Sequence, residues 1–115
     1  MTKFMLVIYG NHEGWGALGA EGSQRIMAAH RSVTDELTAN GELVETHELS
    51  TSAARVVRTT AGTPAVTDGP FVETKEIVAG YYIVDCASID RATEIAGRLG
   101  EAEFAPIEVR QIVEG

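Results

Sequence analysis

Apolar positions along this chain form two nearly continuous runs and two helical stripes. Phe4–Tyr9 is apolar or aromatic at every position, and Ile77–Val84 reads Ile-Val-Ala-Gly-Tyr-Tyr-Ile-Val. Runs of this length, rich in β-formers, predict strands covered on both faces. Gly80 inside the second predicts a bulge or the close approach of another group. Tyr81 and Tyr82 must then point to opposite faces of the sheet, one of them toward a helix. Weaker β patterns follow at Glu42–Leu49, half-exposed, and at Arg55–Thr60, which should pair with its neighbour as a hairpin. Gly62-Thr63-Pro64 is expected to break that run. Pro106 introduces a last alternating strand, Ile107–Val113.

The helical stripes lie between these runs. Glu21–Asn40 carries Ile26, Val33 and Leu37, with Ala29 alongside and Gly41 as a stop. His30 falls four residues after Ile26 and three before Val33, so it shares the sheet-facing stripe. Ile89–Leu99 carries Ile89, Ala92, Ile95, Ala96 and Leu99 on one face, with Ser88 as N-cap, Asp90 in the first turn and Gly100 closing it. Gly10–Ala20, with four glycines, reads as a mobile loop bearing Trp15. Gly14, Gly16 and Gly19 match a dinucleotide fingerprint only loosely, without the parallel βαβ unit or the acidic residue that would complete it.

The resulting order, β-α-β(β)-β-α-β, specifies an α+β fold. It is a ferredoxin-like sandwich, with two helices on one face of an antiparallel sheet, and 1–115 form a single domain. No third helix is available for the second face. An apolar sheet face of that area should not stay wet, which predicts a homodimer through the sheet face.

Charge narrows the partners. Nine Lys+Arg stand against seventeen Asp+Glu, a formal charge of -8. That field repels nucleic acid phosphates and anionic membranes, so neither is expected as a partner. A single cysteine, Cys86, allows no internal disulfide, and no signal peptide or membrane span is visible, so the expected compartment is cytoplasmic. His12, His30 and His47 are scattered over the predicted loop, helix and strand without metal-ligand spacing, and no cofactor is expected.

Thr67-Asp68-Gly69-Pro70-Phe71, running on to Glu73-Thr74-Lys75-Glu76, concentrates the candidate chemistry. Gly69 and Pro70 predict a stiff bend that fixes Asp68 beside the sheet. If Asp68 meets His30, the carboxylate orients the imidazole and favours its protonated form, a pair suited to acid–base catalysis. Tyr81 or Tyr82 would donate a hydrogen bond to a substrate, Lys75 would hold an anion, and Trp15 would close over the site. The plainer alternatives are a core histidine bonded to a backbone carbonyl and an aspartate capping its own turn.

This motif, together with Gly80-Tyr81-Tyr82, resembles the signature of the DGPF branch of YCII-related proteins. The resemblance extends over the Met5–Gly10 strand, Trp15, Ala29-His30, the Asp90–Leu99 helix and Glu108-Val109-Arg110. Val33 departs from it, standing where an aromatic residue is common. The resemblance implies a dimeric α/β barrel with a His–Asp pair in a pocket, the two falling on His30 and Asp68. It implies an enzymatic role for that pair, in keeping with the residue reading of a small cytoplasmic enzyme of isomerase, lyase or hydrolase type acting on a small polar or cyclic molecule. The alternative it carries is a non-catalytic ligand-binding or regulatory module partnered with an extracytoplasmic-function sigma factor.

Overall fold

A computed structural model describes residues 1–71 and 75–114. Its elements are β1 (Thr2–Gly10), α1 (His12–Asn40), β2 (Leu43–Glu48), β3 (Arg55–Thr60), β4 (Thr63–Asp68), β5 (Ile77–Cys86), α2 (Ile89–Gly97), a 3-10 turn (Gly100–Glu103) and β6 (Ile107–Gln111). Four strands form an antiparallel sheet in the order β2-β5-β1-β6, and β3 pairs with β4 as a separate two-stranded hairpin. The chain is α+β, with the strand order of a ferredoxin-like fold and the hairpin inserted between its second and third strands.

Burial alternates along β1 as a pleated strand requires. Phe4, Leu6 and Ile8 point toward the helices and are buried, while Met5, Val7 and Tyr9 lie half-buried on the opposite face. The inner face meets α1 through Val33 and Leu37 and α2 through Ala92, Ile95 and Ala96, making one core with Val84 and Leu99. Ser88 caps α2 by accepting a hydrogen bond from the Arg91 N–H. The Arg91 guanidinium lies 2.8 Å from Glu42 and 3.0 Å from Glu36, joining α2 to the end of α1 and the start of β2. Its hydrogen bonds hold the Glu42 carboxyl below the usual carboxylate range. At Gly80 the β1–β5 ladder shifts register, and a Cβ there would come within 2.9 Å of the His47 carbonyl oxygen. Both features expected of this glycine are present.

One expectation is corrected and another holds. The glycine-rich segment after β1 is helical, not a loop: His12–Leu18 is the first part of α1. The Asn11 side chain caps it, accepting from the Gly14 N–H at 2.6 Å, and its amide donates to Glu76 at 3.2 Å. A cap of this kind stabilises by about 1 kcal/mol, comparable to the penalty of one helical glycine, and the segment also packs through Trp15 against Gly10 and Phe104 against Gly14. The loop-like composition appears only at Gly19, whose φ of 64° and ψ of −175° break the helix into two segments. The run Arg55–Thr60 does break as expected, at the Ala61-Gly62 turn, and Pro64 lies just beyond the break. It sits within β4 opposite Thr59, and because β4 pairs with β3 alone among the described residues, the missing N–H lies on an edge that donates to no further strand.

Candidate functional site

A cavity of about 680 Å³ opens between α1 and the inner face of β2 and β5. Its walls are largely apolar: Trp15, Leu18, Ile26 and Met27 from α1, Leu49 after β2, and Phe104 after the 3-10 turn. The floor is polar, and it carries a continuous chain of three side chains.

His30 projects from α1 toward β5. Its Nδ1 lies 2.5 Å from the Tyr82 hydroxyl, and the two rings are nearly parallel, 15° apart. Its Nε2 lies 2.7 and 2.8 Å from the two oxygens of Glu101. Glu101 is only 15% exposed at its side chain, and His30 25%. The 3-10 turn brings Glu101 close because Gly100 packs directly against α1, where a Cβ would stand 2.6 Å from Ile26. A carboxylate accepts only, so Nε2 carries the proton of the neutral ring. Nδ1 then accepts from the Tyr82 hydroxyl. When the ring is protonated, Nδ1–H donates to the phenol oxygen instead. Either state satisfies Glu101 and Tyr82 without moving a heavy atom.

Burial pushes the Tyr82 phenol up to about 12, a hydrogen bond with Thr46 opposes the shift, and the Glu101 charge adds to it. The sign of the consequence is fixed. Below the ordinary tyrosine value of about 10, folded and unfolded chains both keep the proton. Between about 10 and 12 only the unfolded chain ionises, so stability falls as pH rises, by up to roughly 2–3 kcal/mol. Denaturant unfolding at stepped alkaline pH should show this slope, and Tyr82→Phe should flatten it; an unchanged slope in the variant would contradict the assignment.

The residues singled out in the sequence divide. His30, Trp15 and Tyr82 line the cavity; Lys75 and Tyr81 do not. Tyr81 is on the far face of the sheet, donating to Glu45 at 2.8 Å. Asp68 ends β4, opposite Arg55, and is exposed; no hydrogen bond or ion pair joins it to His30. The bend after it has a cis Gly69–Pro70 peptide, and the Gly69 N–H donates to the Ala54 carbonyl, tying the bend to its own hairpin. Within the single chain, the carboxylate beside His30 is therefore that of Glu101. Glu73 and Thr74 of the motif lie outside the described residues. Sequence reasoning missed Glu101 because nothing local separates it from Glu103 in Leu99-Gly100-Glu101-Ala102-Glu103-Phe104; only the packing of Gly100 on α1 selects it. Among the described residues, no group of three or more acidic, histidine or cysteine side chains could hold a metal ion, and no helix is long and apolar enough to cross a membrane.

Comparison with known proteins adds a family. A family model described as the YCII-related domain matches residues 2–114. An uncharacterized protein of Rhizobium meliloti (strain 1021) is 35% identical over 100 residues, covering 86% of this chain and 81% of its own.

Proposed function

Because this chain belongs to the YCII-related family, we propose that it is a small acid–base enzyme, with Glu101, His30 and Tyr82 acting as a proton relay at the floor of the cavity. The observation that carries this reading is the unbroken chain of short contacts from a carboxylate through an imidazole to a phenol, ending at an open apolar pocket. In the forward direction a substrate O–H gives its proton to the Tyr82 oxygen as the phenol proton passes to His30 Nδ1. The imidazolium so formed is stabilised by Glu101, already within 2.7 Å. In reverse, the same atoms return a proton to a substrate oxygen. Burial disfavours a free phenolate at neutral pH, which makes a coupled transfer the accessible route. Such a relay serves enolisation and ketonisation: as the Tyr82 hydroxyl protonates a carbonyl oxygen and regains a proton from the His30 imidazolium, a solvent water takes the proton from the adjacent carbon.

Solvent-deuterium exchange into a panel of enolisable cyclic ketones, followed by NMR, tests it. The wild-type chain is expected to exchange at least one of them above the buffer rate, and Tyr82→Phe to lose that exchange. Equal rates for wild type and variant would overturn the relay.

The proposal includes a homodimer that closes two sheets into a barrel. Its support is the face of the sheet opposite the helices, where Met5 pairs with Ile83 and Val7 with Tyr81, all half-buried in the single chain. Light scattering should give about twice 12.3 kDa; a species at 12.3 kDa would refute it.

A further inference from the structure

The charges around the cavity point to its ligand. No Lys or Arg lines it among the described residues, and Val72, Glu73 and Thr74 contribute no basic side chain by sequence. The two imidazoles there are already matched to acids: His30 to Glu101, and His47 at the rim to Glu45 at 3.3 Å. An anionic group entering the cavity would lose its hydration and meet no unpaired cation, inside a chain whose formal charge is -8. For a cation the lining offers two acids: Glu101, which already faces His30 Nε2 at 2.7 and 2.8 Å and is matched by it when the ring is protonated, and Glu48, which is exposed. What remains is a slot with aromatic walls, Trp15 and Phe104, a few neutral hydroxyls (Ser23, Thr34, Thr46 and Thr51), and a polar end where Tyr82 meets His30.

We infer that the cavity takes an uncharged ring compound bearing a hydroxyl or carbonyl oxygen directed at Tyr82, and that it rejects carboxylated and phosphorylated molecules. The inference rests on the relay for the role of that oxygen, while the selection against anions follows from the lining alone.

Trp15 is the only tryptophan of the chain, so its indole N–H signal in a two-dimensional NMR spectrum reports occupancy of the cavity. Titration with naphthol should shift that signal saturably. Naphthoate and naphthyl phosphate should bind at least ten-fold more weakly. Met27→Lys, which adds an ammonium to a wall residue already 62% exposed, should narrow or reverse that preference without disturbing the core. Naphthoate binding as tightly as naphthol to the wild-type chain, or no saturable shift with any of the three, would overturn the inference. The two claims separate cleanly: Tyr82→Phe that loses exchange yet still prefers naphthol supports both. A chain that prefers naphthol but exchanges no ketone keeps the ligand class and sinks the relay.

Discussion

Glu101→Gln is expected to lower proton exchange at a bound substrate by about 10²–10⁴-fold while the chain remains folded. Glutamine has nearly the same shape and its carbonyl still accepts a hydrogen bond, so the fit beside His30 is kept. The negative charge is lost, and with it the stabilisation of the imidazolium that forms when Tyr82 passes its proton to Nδ1. The amide can also turn its NH₂ toward Nε2, which forces the neutral ring to carry its proton on Nδ1 and breaks the acceptor role toward Tyr82. Asp68→Asn should leave the rate nearly unchanged, since that carboxylate lies exposed on the hairpin. Exchange rates beside circular dichroism spectra check both variants. Full activity in Glu101→Gln, or a large loss in Asp68→Asn, would shift the chemistry back to the bend.

Leu6→Ala should destabilise the chain by roughly 3–5 kcal/mol. Leu6 is fully buried on β1, which is hydrogen-bonded on both sides, to Tyr82 on β5 and Val109 on β6. No neighbour can collapse into the space without disturbing a central strand, so the cavity term is added to the transfer term. A domain of this size has about 5–15 kcal/mol in total, so the loss should appear as a drop in Tm of roughly 12–20 °C. Val113→Ala, at a site 91% exposed, should change stability by less than about 0.5 kcal/mol. Thermal unfolding of the two variants provides the comparison.

The strands and helices that hold the site were legible because their signals are local. Phe4–Tyr9 and Ile77–Val84 declare central strands by composition alone, and the spacing of Ile26, His30, Val33 and Leu37 puts the imidazole on the sheet side of α1. Gly80, Ser88 and the split between Tyr81 and Tyr82 follow from backbone geometry that any sequence must obey. Two features depended on tertiary contacts instead. The glycines between Gly10 and Gly19 outweigh the cap signal of Asn11 when the segment is read in isolation, and the helix there gains from Trp15 packing on Gly10 and Phe104 packing on Gly14. The conspicuous Asp68 bend marks a partner for His30 in the sequence, yet an inserted hairpin carries that residue to an exposed edge. Glu101, in an unremarkable turn some seventy positions from His30, arrives because Gly100 lets two backbones approach.

The central claim is that Glu101, His30 and Tyr82 form one hydrogen-bonded chain. Nitrogen chemical shifts of the His30 ring in its neutral form test it most directly. The account predicts one fixed neutral tautomer, protonated at Nε2, that becomes a mixture in Glu101→Gln. A rapidly exchanging mixture of both tautomers in the wild-type chain, insensitive to that substitution, would contradict it.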